Sequence, residues 1–405
     1  MERPELLIPA GNLEKLRTAL LYGADAVYTG VDGLSLRAPS AEMSLADLED
    51  GVRESHRQGA RVYAAANAFI RDSDYHRARK ILPDVIDTGI DALIISDPGL
   101  LELIGRIKPD LPIHLSTQAN TTNAAAVRFW RNQGVHRIIS ARELTLKEVA
   151  AIAKSVPDME LEIFVHGAMC MSYSGRCFLS AYRNRRSANE GDCSQPCRWE
   201  YRLDEKTRPD DPLILQEDER FTYLLSSKDL CLIEYLPEIC AAGIAGLKVE
   251  GRMKSSYYVA VVTRAYRLAL DAVFAQKESY RFDPEWLAEL KTVSHRGYTT
   301  GFAFTNEKIN ETSPAIKMIQ THEPAGIVIG CLSHPAQIEI ELRNALTAGE
   351  SLDLLLPDQT VPIKTDTLWS GDGRRIDKAH SGSRIRLDSA VQAPAFAVLR
   401  KPISR

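Results

Sequence analysis

Short, nearly continuous apolar runs alternate with amphipathic stretches over about the first 250 residues, and this repeat restricts the fold more than any other feature of the chain. The runs are Glu5–Ile8, Ala26–Gly30, Arg61–Asn67, Ala92–Ser96, Ile113–Ala119, Arg137–Ala141, Leu161–Val165 and Gly246–Val249. Strands buried on both faces of a parallel sheet read in this way. Helix-like segments lie between most of them. Leu13–Tyr22 follows Gly11-Asn12, and Ser44–Gln58 opens with Ser44 as N-cap and Asp47 in the first turn. Asn123–Gln133 and Thr145–Ser155 follow the same logic. Gly23-Ala-Asp25, Gly89-Ile-Asp91, Gly134-Val-His136 and Gly243-Ile-Ala245 punctuate helix-to-strand turns, where glycine suits the C′ position. Eight such repeats predict an α/β chain folded as a (β/α)8 TIM-like barrel over residues 1–280, with a doubly wound open sheet as the rival.

Beyond the barrel, Ser255–Ala275 reads as a long helix and Pro284–Val293 as a shorter one, within a helical connector over residues 281–319. From residue 320 the runs Gly326–Gly330, Gln337–Leu342, Ser351–Leu356, Val361–Lys364, Ser383–Leu387 and Phe396–Arg400 are short, and several alternate apolar with polar residues. That pattern predicts a C-terminal antiparallel β domain over 320–405, a small barrel or sandwich. A chain of 405 residues is too long for one ordinary core and agrees with more than one domain.

The repeat is interrupted at residues 168–222, after the seventh strand, by a cysteine-rich insertion. The segment reads Glu162-Ile-Phe-Val-His-Gly-Ala-Met-Cys170-Met-Ser-Tyr-Ser-Gly-Arg-Cys177-Phe-Leu-Ser180, then Asp192-Cys193-Ser-Gln-Pro-Cys197-Arg-Trp199. Barrel enzymes place their chemistry at this end of the strands. Seven cysteines, an odd number, argue against a disulfide framework and for metal or redox use. Cys231, Cys240 and Cys331 read as structural thiols. The other four can hold zinc or an iron–sulfur cluster. Cys193 and Cys197 have the spacing of a zinc pair, whereas Cys170 and Cys177 do not; irregular spacing around glycine suits a cluster better.

The pattern Glu162-x-Phe164-x-x-Gly167-Ala-Met-Cys170-x4-Gly175-x-Cys177-x-Leu-Ser180 resembles the signature of the collagenase-like peptidase family, U32. Pro9-Ala-Gly-Asn-Leu, Tyr22-Gly-Ala-Asp-Ala-Val-Tyr28, Ser96-Asp-Pro-Gly-Leu100, Ser116-Thr-Gln118-Ala, Ser227-Lys-Asp-Leu230 and Lys248-Val-Glu250-Gly-Arg252 extend the resemblance over nearly the whole chain. His295-Arg-Gly-Tyr-Thr-Thr-Gly301-Phe and the β-rich end resemble its tRNA uridine hydroxylase branch. The resemblance implies oxygen-independent, prephenate-dependent hydroxylation of the wobble uridine to 5-hydroxyuridine. It also implies a 4Fe-4S cluster on Cys170, Cys177, Cys193 and Cys197, with Cys231 as a competitor for the fourth place. An rRNA cytidine hydroxylase, a ubiquinone-precursor hydroxylase and a collagenase-like peptidase stay as alternatives. No His-Glu-x-x-His zinc motif and no Gly-x-Ser-x-Gly elbow supports the last of these.

Residues ending the strands should build the site. Prephenate carries two carboxylates, and arginine captures such groups in bidentate fashion. Arg37, Arg142 and Arg252 are the expected anion binders, with Asn67 and Gln118 beside them and Lys248 as a point charge. Each could instead serve an ion-paired rim. His166 and Glu250 are the expected proton-transfer groups, with Lys248 as a third catalytic candidate; a histidine bonded to backbone is the duller option.

The net charge of −4 excludes a general polyanion binder, so any RNA site must be a local patch. Arg183, Arg185, Arg186, Arg198 and Trp199 form one, with Arg176, Tyr173, Phe178 and Tyr182 interleaved. Guanidinium groups hold phosphates and aromatic faces stack splayed bases. The expected partners are the tRNA anticodon arm and prephenate, with a partner subunit of the same family left open. No apolar run approaches the roughly 18 residues of a membrane span, and the polar N-terminus is no secretory signal, so a cytoplasmic location is expected.

Overall fold

The computed structural model describes residues 2–31, 34–35, 43–170, 172–173, 176–186, 193–198, 216–217, 222–223, 228–276, 279–304, 318–333 and 336–403. Seven parallel strands follow one another around a ring: β1 (Glu5–Pro9), β2 (Ala26–Gly30), β3 (Arg61–Ala66), β4 (Ala92–Ile95), β5 (Ile113–Leu115), β6 (Arg137–Ile139) and β7 (Glu160–Ala168). The strand Gly246–Val249 pairs in parallel with both β1 and β7 and closes the barrel at eight strands. The open-sheet alternative is thereby excluded. Every residue of β2 and β4 is buried, which is why those runs lack an alternating polar face.

Helices α1 (Leu13–Leu21), α2 (Leu45–Arg57), α3 (Asp72–Asp87), α4 (Pro98–Ile107), α5 (Ala124–Asn132) and α6 (Leu146–Ser155) follow β1 to β6. The caps read from sequence form: Asn12, Ser44, Asn123 and Thr145 each accept a backbone N–H in the first turn. Each such cap contributes about 1 kcal/mol. The glycines at positions 23, 89, 134 and 243 all have positive φ. α3 and α4 are additions to the sequence reading. α3 is rich in charge and carries Pro83 in its interior, which hides its periodicity. α4 starts at Pro98, behind Asp97, whose carboxylate accepts from Gly99 and Leu100 N–H.

After β7 the chain enters the insertion, where the described residues include a short helix, Leu179–Asn184, and a turn, Pro196–Arg198. It returns as Asp229–Cys231, which runs antiparallel along the end of β7. The helix Leu236–Ala241, the closing strand and the long helix Ser256–Gln276 complete the barrel. Residues 305–317 of the expected connector lie outside the described residues. The connector's helix spans Pro284–Leu290, and the strand Tyr298–Thr299 then pairs with Asp229–Leu230.

The C-terminal residues form an eight-stranded antiparallel sheet, with a separate two-stranded pairing of Leu346–Thr347 and Lys378–Ala379, around a core of Val328, Ile340, Leu354, Leu387 and Leu399. The larger sheet's edge strands are Thr360–Ile363 and Arg375–Ile376, and among the described residues no pairing joins them. The strand Leu368–Ser370 is a further addition to the sequence reading. This domain packs on the barrel's flank. Tyr22 at the end of α1 donates to Leu355 O at 2.7 Å and accepts from Val398 N at 3.1 Å. Arg400 bonds Glu289 at 2.8 Å, and Leu355 and Val398 join the barrel's core.

Candidate active site at the barrel mouth

The C-terminal ends of the strands surround a cavity of about 520 Å³, counting the space open to solvent. Tyr28 comes from β2, Asn67 follows β3, Ser116, Thr117 and Gln118 follow β5, and Arg142 follows β6. Phe164 comes from β7; Lys248, Glu250 and Arg252 come from the closing strand and its end. Three cations therefore face one carboxylate. Arg252 is buried and donates to Ser35 Oγ at 2.9 Å. Gly30 makes room for it, since a Cβ there would stand 2.6 Å from Arg252 Nη1. Arg142 lies flat on Phe164, 3.9 Å from the ring centre, and donates to Ala168 O at 2.9 Å. Its Nε is buried without a partner, as is Oε1 of the buried Gln118. Buried polar atoms of this kind are expensive unless a ligand completes them. A second, more apolar cavity of about 480 Å³ shares Arg142 and Phe164 as a wall and continues to Leu146, Leu230, Phe302 and Phe304.

Beneath the mouth, charged side chains fill the barrel interior. Lys248 Nζ donates to Glu162 at 3.0 Å and lies 4.3 Å from the centre of the Tyr28 ring. Burial pulls the Lys248 pKa down, and the Glu162 carboxylate opposes that shift. Arg137 reaches Glu162 at 3.2 Å, Glu5 at 2.6 Å and Glu160 at 2.7 Å. Sequence reasoning passed over Glu162 and Arg137. The signal was an acid at an inward position of an otherwise apolar strand.

His166 does not line the mouth. β7 carries a bulge: Phe164 pairs with Lys248, and His166 with the next residue, Val249, leaving Val165 unmatched. The bulge turns His166 into a cage of Tyr258, Tyr266 and Tyr298, with ring centres 6.0, 5.5 and 5.3 Å away. Burial there lowers its pKa to about 3, so it is neutral at physiological pH. Its backbone carbonyl accepts the Glu250 N–H at 2.8 Å, which places it behind the site rather than in it.

The structure thus brings together Asn67, Gln118, Arg142, Lys248, Glu250 and Arg252. Arg37 and Trp199 lie outside the described residues, as does the side chain of Arg198. Arg183, Arg185 and Arg186 are exposed, alongside Tyr173, Phe178 and Tyr182. Tyr28, Ser116, Thr117 and Phe164 are lining residues that the sequence reading left unassigned, although all lie within or beside quoted motifs.

None of the four insertion cysteines is in a disulfide; Cys170 and Cys193 are exposed, Cys177 and Cys197 half-buried. Ser194 bonds Ser180 at 3.0 Å and Asn184 at 2.6 Å, pinning the Cys193 end onto the helix that follows Cys177. Among the described residues no three histidine, cysteine, aspartate or glutamate side chains are gathered as for a metal. The donor chemistry fits a thiolate-held group, but the sulfurs are presented without being drawn together. Cys231 is a poor substitute ligand. It is buried, Tyr266 Oη lies 3.9 Å from its sulfur, and burial pushes its thiol up to about 11.

Among the described residues no helix is long and apolar enough to cross a membrane. A model of peptidase family U32 matches residues 11–313, and one of the peptidase family U32 C-terminal domain matches residues 320–400. The chain is 36% identical to tRNA hydroxylation protein P of Haemophilus influenzae, over 93% of this chain and 91% of the relative. It is 35% identical to tRNA hydroxylation protein P1 of Bacillus subtilis, over 96% and 93% respectively. With the 23S rRNA 5-hydroxycytidine C2501 synthase of Escherichia coli it shares 33% identity, over 90% of this chain and 54% of that protein.

Proposed function

Because the chain belongs to peptidase family U32 and carries that family's C-terminal domain, we propose that it hydroxylates tRNA, converting the wobble uridine to 5-hydroxyuridine with prephenate bound in the barrel mouth. The observation that carries this reading is the mouth itself. Arg142, Lys248 and Arg252 can meet two carboxylates, and the unpartnered Gln118 Oε1 can accept from a hydroxyl. Prephenate offers two carboxylates and one hydroxyl. Hydroxylation replaces a C–H of the base by C–OH, a two-electron oxidation. The prephenate hydroxyl is the proposed oxygen source, its C–O bond breaking as loss of CO2 makes the donor ring aromatic. The two electrons released from the base pass to a separate electron acceptor that the scheme requires. Relatives named for tRNA hydroxylation, matched over nearly their whole length, support tRNA as the substrate.

Each residue has a separate task in this scheme. Asn67 and Gln118 orient the donor, and the three cations hold its anionic groups. Glu250, held within 3.3 Å of Tyr28 Oη, is the proton-transfer group at the mouth. Cys170, Cys177, Cys193 and Cys197 would hold a 4Fe-4S cluster, which supplies redox or Lewis-acid chemistry when bound. The exposed arginines 183, 185 and 186 would hold anticodon-arm phosphates, with Phe178 and Tyr182 offering stacking faces. A tRNA substrate implies a cytoplasmic location, and a partner subunit of the same family is compatible with the scheme.

Nucleoside mass spectrometry on tRNA and rRNA from a strain lacking the gene tests the assignment. Loss of 5-hydroxyuridine derivatives from tRNA, with rRNA unchanged, is the expected result. Intact tRNA nucleosides, or a deficit in rRNA cytidine hydroxylation alone, overturn it. Anaerobically purified protein should contain iron and sulfide, and Cys170→Ala should lose most of both.

A further inference from the structure

The mouth contains a cation whose charge is at risk. Lys248 is buried, and desolvation lowers its pKa. The groups facing it are Glu162 and Phe164 from β7, Arg137 from β6, His114 from β5, Tyr28 from β2 and Glu250 from its own strand. Of these, Glu162 makes the direct ion pair, at 3.0 Å. Glu162 is itself completely buried and sits behind Lys248, on the side away from the ligand space. A fully buried carboxylate is costly to keep, and packing the barrel does not require one. Its other partner, Arg137, already has Glu5 and Glu160.

We propose that Glu162 is a positioning residue for the mouth, which holds the Lys248 ammonium charged and aimed at a carboxylate of the bound donor. This inference rests on the reading of the mouth as an anion-binding cavity. Without Glu162, Lys248 faces desolvation with Arg137 still close by and only Glu250 to oppose it. Its proton would then be lost at a lower pH, and the ligand would meet a neutral amine. Glu162 touches no ligand in this arrangement and acts through Lys248 alone.

The test compares wild type, Glu162→Gln and Lys248→Met for prephenate binding by calorimetry across pH. Glu162→Gln should bind about tenfold more weakly than wild type or worse on the alkaline side, with the gap closing as pH falls. It should also take up more proton on binding than wild type does. Lys248→Met should bind weakly at every pH, and adding Glu162→Gln to it should cost no further affinity. A Glu162→Gln protein with the wild-type pH profile overturns the proposal. A ligand-free measurement separates this claim from the choice of donor. In protein carrying ¹³Cε-lysine, the signal absent from Lys248→Met should titrate at lower pH in Glu162→Gln than in wild type. If wild type ignores prephenate but that signal moves as expected, the donor assignment fails and the role of Glu162 stands. If the signal does not move, the role of Glu162 fails whatever the ligand.

Discussion

At the scale of single residues, burial decides which titratable groups take part in chemistry. His166 sits in a tyrosine cage with its pKa lowered to about 3. The unfolded chain takes up a proton on this histidine near pH 6.5, whereas the folded chain resists until far lower pH. Its contribution to stability is therefore complete above about pH 6.5 and is lost progressively as pH falls towards 3. Between pH 7.5 and pH 5 the loss from this one group is about 2 kcal/mol. Urea titrations should show His166→Gln losing that much less than wild type over the same interval; equal losses contradict the buried, neutral assignment. His114, also depressed by burial, contributes to both proteins and cancels from the comparison. The mouth residues were legible because strand-end positions follow directly from strand boundaries. Asn67, Gln118, Arg142, Lys248, Glu250 and Arg252 all occupy such positions. His166 lies off the mouth for the converse reason: a one-residue bulge reverses the side-chain alternation, and nothing in the order Phe164-Val165-His166 announces it.

At the scale of elements, the end of β7 joins the mouth to the cysteine segment. Gly167 has φ of +106°, and a Cβ there would stand 2.3 Å from the Glu250 carbonyl oxygen. Gly167→Ala should therefore displace Glu250 and cost about 2 kcal/mol or more of stability. Activity should fall further than stability alone explains, and a variant with wild-type melting and activity contradicts the coupling. Thr145→Ala provides a contrast, since it removes a capping box from α6 and leaves the β7 sequence unaltered. It should cost about 1 kcal/mol and leave activity unchanged. The barrel's eight strands were readable because each is a short apolar run bounded by glycine or polar residues. α3 was not, because its charges and Pro83 mask the apolar stripe of Ala78, Leu82, Val85 and Ile86. The strand Asp229–Cys231 is set by its pairing with β7, which local sequence does not encode.

At the scale of the whole molecule, the C-terminal sheet is fixed to the barrel through buried polar contacts as well as apolar ones. Tyr22 Oη serves both a carbonyl and an N–H of the sheet. Tyr22→Phe leaves both unmatched and should cost about 2 kcal/mol, seen as a lower unfolding midpoint. An unchanged midpoint contradicts that role. The central claim joins three parts: a cationic mouth, a thiol-bearing segment at its rim and an exposed arginine–aromatic surface. Anaerobic incubation of purified, iron-loaded protein with unmodified tRNA, prephenate and a soluble electron acceptor, followed by nucleoside mass spectrometry, tests it most directly. Uridine gaining one oxygen with wild type, and staying unmodified with Lys248→Met and with Cys170→Ala, is the predicted result. Unmodified uridine with the wild-type protein, or equal hydroxylation by all three, contradicts the account.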